Sequence, residues 1–409
     1  MLPEGWKRVP LGECARFQSG GTPSKERGDY WGGDFPWVTA KDMKTLCLTG
    51  SELRLTKSGK EVAAIAPALS VLVLTRGMTL LKDLPVGLAM QEVSFNQDVK
   101  ALIAKDGIDP WYLAYQLVAN KSEILDLVDT AGHGTGRLDT ELLKGYEVSI
   151  APQEEQRAAA QIIRAWEAAI ATAEKLLANS RRQKQALMWG LLSGKRRFDS
   201  PAGSWQYVDF DQVFERVMRK NSVCNANVLT ISGQHGLISQ RDYFNKSVAS
   251  ANLSGYTLLE RGEFAYNKSY SAGYPMGAIK PLMAYDAGVV SSLYLCFRLR
   301  ADVDADLDFF RHYFEAGLLN EEISGIAQEG ARNHGLLNVS VTDFFKLRLH
   351  IPPAPVQRKI AEAINVAEAE ERWFEQELIR FQTEKRALMQ QLLTGKRRVH
   401  LPVTEAASA

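Results

Sequence analysis

Ala186-Leu187-Met188, followed by Leu191-Leu192-Ser193-Gly194-Lys195-Arg196-Arg197, returns later at one fixed offset as Ala387-Leu388-Met389, followed by Leu392-Leu393-Thr394-Gly395-Lys396-Arg397-Arg398. Working back at the same offset, Ile150, Pro152 and Gln156-Arg157 match Ile351, Pro353 and Gln357-Arg358. Agreement without a gap marks a duplicated structural unit. Each copy, residues 151–198 and 351–399, reads as one long helix. A proline supplies the start, and a glycine followed by Lys-Arg-Arg supplies the stop. At 1.5 Å per residue such a helix is roughly 60 Å long.

Within the first copy Ile163, Ile170, Leu177, Lys184 and Leu191 recur every seven residues beside Trp166, Ala173, Ser180 and Leu187. The second gives Ile364, Glu371, Leu378, Lys385 and Leu392 beside Ala367, Phe374, Phe381 and Leu388. This is the spacing of a coiled-coil seam, and each apolar stripe finds its partner in the other copy. Lys184 and Lys385 share one seam position. Either the stem packs while the ammonium reaches water, or a polar seam residue fixes the register of the pair.

Outside the helices, residues 1–150 and 199–350 read as two heads of similar plan and different sequence. Trp6-Lys7-Arg8-Val9 is answered by Trp205-Gln206-Tyr207-Val208. In the first head, Ser19 to Ser24 is a turn-rich loop and Tyr30 to Val38 a loop entering a strand. The runs 69–75 and 99–104 are strands, and Asp109-Pro110 opens an amphipathic helix through Leu127. The second head gives strands at 263–266 and 293–299 and a helix from about Asp306 to Leu319. Ahead of each long helix lies a Gly/His loop, Gly132-His133-Gly134-Thr135-Gly136 or Gly330-Ala331-Arg332-Asn333-His334-Gly335, and then a strand ending at the proline. The predicted class is α+β, two mixed α/β heads alternating with two long helices. Residues 400–409 read as a disordered tail.

The chain has 409 residues, 24% of them charged, and a formal net charge of +1, which is ordinary for a globular protein of two or three domains. Met1 to Trp6 lacks the basic and apolar regions of a signal peptide and no apolar run reaches membrane length, so a cytoplasmic protein without membrane contact is expected. Cys14, Cys47, Cys224 and Cys296 are scattered, as are the histidines, which fits neither a disulfide framework nor a metal site. Near-neutrality argues against coating nucleic acid by bulk charge while leaving room for local basic faces.

Catalytic motifs are missing. Gly190 to Arg196 has the wrong glycine spacing for a phosphate loop and carries Arg where Ser or Thr should hold magnesium. No amino-methyltransferase, dinucleotide-binding, serine-hydrolase or zinc-protease signature occurs. The heads instead offer loops suited to base edges and phosphates. Candidates are Ser19, Thr22, Ser24, Lys25, Lys41, Arg76, Asn96 and Gln97 in the first head. In the second they are Gln234, Asn267, Lys268, Tyr270, Tyr274 and Lys280. Arg76 and Lys268 fall at matching strand ends. For any one of these residues a turn, cap or solvated-surface role is the plain alternative, and Trp37 and Tyr266 also read as core aromatics. The Lys-Arg-Arg endings suit the negative end of a helix or a phosphate.

These features together resemble the DNA-specificity (S) subunit of type I restriction-modification systems. The resemblance rests on the Trp-x-x-Val opening, Phe17 to Ser24, Tyr30 to Trp37, the Ile-x-Pro-x-x-x-Gln-Arg helix start, the Leu-Leu-(Ser/Thr)-Gly-Lys-Arg-Arg helix end and their repetition, and it covers essentially the whole chain. It implies two target-recognition domains, each reading half of a split asymmetric site in double-stranded DNA. It also implies an antiparallel, pseudo-twofold coiled coil that sets the gap and docks two methyltransferase subunits, with restriction subunits joining the complex. By the same resemblance this chain is non-catalytic and holds no cofactor, while S-adenosylmethionine, ATP and magnesium belong to partner subunits. One departure is that Pro352-Pro353-Ala354-Pro355-Val356 replaces Ala151-Pro152-Gln153-Glu154-Glu155, so the second helix is expected to start a turn later. The alternative from another class is a coiled-coil scaffold whose two heads bind proteins or glycans.

Overall fold

Both copies of the repeat are single helices of 40 residues, Gln153–Leu192 and Ala354–Leu393. The expected late start of the second is therefore corrected: Ala354 takes the repeat position of Gln153. Pro355 is tolerated because it falls in the first turn, where a backbone N–H has no intrahelical partner to lose. The structure is a computed structural model that describes residues 2–131, 134–198, 204–233, 236–244, 252–271, 273–329 and 337–399. The chain divides into two units, Met1–Glu174 with Gln376–Ala409, and Lys175–Glu375. Among the described residues no helix is long and apolar enough to cross a membrane.

In the first unit a five-stranded sheet runs in the order Ala15–Ser19, Val99–Ala104, Val71–Leu74, Val86–Ala89, Cys47–Leu48. Val71–Leu74 is buried at every position, which explains its unbroken apolar run. A second sheet is built around Trp31–Val38, so the aromatic stretch is mainly strand. Asp109 caps the helix Pro110–Ala119 by accepting the Tyr112 N–H at 2.9 Å. That helix stops short of Leu127 because the Asn120 side chain takes the Gln116 carbonyl at 2.8 Å, and a separate turn, Lys121–Leu125, follows. The opening strand Lys7–Pro10 pairs with Glu147–Ile150, the strand that leads into the long helix.

The second unit repeats this plan. Its sheet runs Phe214–Arg216, Leu295–Leu299, Phe264–Asn267, Ala278–Pro281, the order of the first four strands above. The core is aromatic where the first is aliphatic: Phe264 stacks on Phe297 at 5.3 Å, and Phe210, Phe214, Phe310 and Phe314 surround them. Asp306 caps Leu307–Glu315, accepting the Phe309 N–H at 2.7 Å, and Gly317 at φ +71° lies just beyond the helix end, ahead of the expected Leu319. Gln206–Asp209 pairs with Arg348–Ile351, as the opening strand does in the first unit.

Within each unit, parts of the two long helices lie side by side. In the first, Ile163 packs with Met389, Leu392 and Leu393, and Trp166 meets Phe381 edge-on at 5.8 Å. In the second, Leu177, Leu191 and Ile364 are buried, and Arg181 pairs with Glu371 at 3.0 Å. Rising numbers on one helix meet falling numbers on the other, so the pairing is antiparallel in both. Leu392 is buried, whereas Ile170, Leu187, Phe374, Leu378, Phe381 and Leu388 are half-buried, as a two-helix seam requires.

Candidate nucleic-acid interface

The first unit gathers several of the sequence candidates at one edge. Gly20 lies so close to the Phe95 and Asn96 carbonyls that no side chain fits there. Gly21 N–H donates to the Phe95 carbonyl at 2.9 Å. The indoles of Trp37 and Trp31 donate to the Gly21 and Ser24 carbonyls, each at 3.0 Å, and the two rings meet edge-on. The aromatic stretch thus fixes the shape of the loop 20–24. On this frame Thr22 donates its hydroxyl proton to Gln97 Oε1 at 2.7 Å, and Lys100 Nζ donates to Ser19 Oγ at 2.8 Å. Asn96 Nδ2 donates to Asp98 Oδ2 at 3.2 Å. The Asp98 carbonyl accepts the N–H groups of Thr75 and Arg76, which ties the strand end carrying Arg76 to the 96–98 loop. Ser19, Thr22, Ser24, Arg76, Asn96 and Gln97 are therefore linked through neighbouring backbone. Lys25 is exposed on the same loop, whereas exposed Lys41 lies on a separate turn closed by Asp42.

Fewer candidates face outward in the second unit. Asn267 Oδ1 accepts the Ser269 N–H at 3.1 Å. Lys268 turns inward: its Nζ donates to the Val339 carbonyl at 3.0 Å, and burial, with Arg216 nearby, holds its pKa below the ordinary lysine value. Lys280 is 8% exposed and ion-paired with Glu315, and its Nζ also donates to the Tyr274 hydroxyl at 2.8 Å. The Tyr274 oxygen lies 2.8 Å from Glu315 Oε1, and burial followed by that carboxylate pushes the phenol pKa well up. Tyr266 is a core residue stacked on Phe344, and Trp37 is likewise buried. Tyr270 is exposed and, among the described residues, has no partner. Gln234, His133 and the loop 330–336 lie outside the described residues.

Two features escaped the sequence reading. The repeated glutamine joins each long helix to its head. Gln156 Oε1 accepts the N–H of the cap residue Asp109 at 2.9 Å, while Nε2 donates to the Gly107 and Ala151 carbonyls. Gln357 repeats this with Asp306 N–H and the Pro352 carbonyl. Its recurrence beside two capped helices was the available signal. The second is Arg137, across from Arg76 on the paired strands Thr135–Leu138 and Arg76–Gly77. No sequence pattern announced it, since the alternation of buried Gly136 and Leu138 with outward Arg137 is visible only in the folded strand.

The helix ends also repeat. Gly395, at φ +74°, sits against Trp6, and Gly194, at φ +71°, against Trp205. The seam lysines each reach a carboxylate on the other helix, Lys385 pairing with Glu167 at 2.7 Å and Lys184 with Glu371. A cleft of about 1050 Å³ in the second unit is lined by such pairs, Lys280–Glu315, Arg311–Glu368 and Arg181–Glu371. Among the described residues no three His, Cys, Asp or Glu side chains converge as for a metal ion.

Residues 3–179 match the family model of the type I restriction modification DNA specificity domain. A type I restriction enzyme specificity subunit of Escherichia coli is 29% identical over 161 residues, 39% of this chain and 39% of that relative. Another, from Methanocaldococcus jannaschii, is 28% identical over 195 residues, 46% of this chain and 42% of that relative. The chain thus spans about two fifths of the length of these curated relatives. Among solved structures, the S subunit of a type I restriction-modification system from M. genitalium aligns at TM-score 0.55 with 14% identity, over 95% of this chain and 96% of that one. The HsdS subunit of Thermoanaerobacter tengcongensis aligns at TM-score 0.55 with 15% identity, over 97% and 98%. These structural likenesses show a shared fold.

Proposed function

We propose, from the match of residues 3–179 to the type I restriction modification DNA specificity domain, that the whole chain is the DNA-specificity subunit of a type I restriction-modification enzyme. In this reading residues 1–150 and 199–350 are two target-recognition domains, each reading one half of a split, asymmetric site in double-stranded DNA. The helices of 151–198 and 351–399 set the gap between the halves and dock two methyltransferase subunits, through which restriction subunits join. The chain itself is non-catalytic and acts in the cytoplasm, and S-adenosylmethionine, ATP and magnesium are bound by its partners.

One observation carries the reading beyond the matched segment: the second unit reproduces the first unit's construction with a different surface. Sheet order, capped helix, buried glutamine and glycine-tryptophan helix end all recur. The outward side chains do not, with Arg76 exposed in one unit and Lys268 turned inward in the other. A duplicated frame bearing unlike faces suits a reader of two unlike half-sites.

The test is to co-express the chain with the methyltransferase encoded beside it and to map modified adenines in the host DNA. A split motif with an unspecified gap, lost when the chain is omitted, is the expected result. No new methylation from a soluble complex of the two would refute sequence recognition.

A further inference from the structure

The strands Val128–Ala131, Thr135–Leu138 and Arg76–Gly77 form a small sheet in that order. Across it Asp129 stands opposite Arg137, and Arg137 opposite Arg76. Directly opposed residues share a face, so the two guanidinium groups project from one side of the sheet. The other side is closed by necessity: Gly136 pairs with Gly77, and a Cβ on Gly136 would come within 2.8 Å of Leu80 Cβ. With the glycines held inward, both arginines must point out.

Like charges directly opposite each other destabilise a sheet. Arg137 has partial relief from Asp129 in register and from Asp139 at 4.0 Å, but Asp139 Oδ1 already accepts the Glu141 N–H at 2.8 Å. Arg76 is exposed and, among the described residues, has no carboxylate partner. A local rule broken on an outward face, with compensation on one of the two arginines alone, marks a place where an external group supplies what is missing.

The geometry points to Arg76 and Arg137 as a paired clamp that reads a guanine in one half-site, an inference that rests on the function proposed above. Guanine presents N7 and O6 as adjacent acceptors in the major groove, which a guanidinium fork matches in its own plane. The neighbouring group favours a base over a phosphate. Gln97, oriented by Thr22 and tied by backbone to Arg76 through Asp98, presents an amide with both donor and acceptor. Base edges match that pair, whereas a phosphate offers no donor. Charge on a short edge strand also discourages edge-to-edge pairing, but that role leaves base choice untouched.

The experiment uses the full chain with its methyltransferase. Duplexes carry every single-base change in the motif that the unaltered chain directs. Arg76→Ala and Arg137→Ala should each flatten the preference at a guanine in a single half-site, lowering discrimination there roughly ten- to hundredfold. The other half-site should be unaffected. Because Arg76→Ala removes a repulsion and, among the described residues, no ion pair, the melting temperature of the free chain carrying it should not fall, which separates this role from a structural one. Unchanged discrimination, or binding weakened equally on all duplexes with a shallower salt dependence, would overturn the clamp while leaving the proposed function standing. If the unaltered chain directs no motif, the function and the clamp fall together.

Discussion

Gln156→Ala isolates what the repeated glutamine does. The side chain is 1% exposed and makes three hydrogen bonds: it accepts the Asp109 N–H at 2.9 Å and donates to the carbonyls of Gly107 at 3.0 Å and Ala151 at 2.8 Å. Truncation leaves one buried donor and two acceptors without this partner, which is expected to cost about 3 kcal/mol. Gln357 is 3% exposed and makes two such bonds, to the Asp306 N–H and the Pro352 carbonyl, so Gln357→Ala should cost about 2 kcal/mol. For units of this size that is a fall in Tm of roughly 6–12 °C and 4–8 °C respectively. Urea unfolding gives the magnitude, and hydrogen exchange gives the location. Gln156→Ala should deprotect the helix Pro110–Ala119, and Gln357→Ala the helix Leu307–Glu315. Gln156→Met keeps most of the volume and none of the bonds, and should be nearly as costly as Ala. If Met restores stability the glutamine acts by packing, and if the deprotected helices are exchanged or neither variant loses 1 kcal/mol, as an order-of-magnitude limit, the linkage is wrong.

Gly395→Ala and Gly194→Ala each force a left-handed backbone on a residue with a Cβ, about 1–2 kcal/mol. Gly395→Ala should cost more, because its Cβ would also come within 2.7 Å of Pro3 Cδ, and thermal melts rank the two. Glu167→Ala removes the partner of half-buried Lys385 and of the Tyr115 hydroxyl, and should cost about 2–3 kcal/mol in chemical denaturation. The exposed Arg157–Glu154 pair serves as its control, Glu154→Ala being expected to cost under about 1 kcal/mol. His312, among Arg311, Asp308, Glu368 and Asn365, is held below the ordinary 6.5 by burial and then by Arg311. The unfolded chain takes up a proton that the folded one refuses, so this stability is intact above pH 6.5 and is lost as pH falls toward the folded value. Tm should drop as pH falls below 6.5, and His312→Asn should reduce the drop without abolishing it, since His350 is lowered in the same direction by burial and then Arg197.

The parts legible in sequence were those written by repetition and periodicity. The start of the first long helix and the stops of both followed from proline, glycine and the fixed offset, and Asp109 was readable as a cap because Asp before a helix start has one obvious use, whereas Asp306, read only as the approximate start of its helix, proves to be the cap of Leu307–Glu315. Helix ends inside the heads were not, since Asn120 stops its helix through a single side-chain bond that no pattern announces. The late start expected for the second long helix failed for a related reason: Pro355 disrupts a helix only beyond the first turn. Among the candidate contacts, Lys268 and Arg76 occupy matching strand ends, yet one bonds inward to Val339 and the other stays exposed. Which way a long cation turns depends on carbonyls far away in sequence, and composition does not carry that. Arg137 was hidden by its neighbours, because Gly132 to Gly136 reads as a loop, whereas Thr135–Leu138 is a strand whose Gly136 pairs with Gly77.

The first unit is assembled from two separated stretches, and that has a consequence for the order in which the protein matures on the ribosome. Gln116 donates to the Leu393 carbonyl at 2.8 Å, and Tyr112 and Tyr115 are sealed by Met389, Leu392 and Leu393. Those partners follow far behind the helix they cover, Leu393 being translated 277 residues after Gln116. Lys175–Glu375, by contrast, is continuous and meets its own core partners earlier. Of the two heads, the one made first is thus the one finished last, its aromatic helix face waiting through 277 residues of synthesis between Gln116 and Leu393 for the segment that covers it.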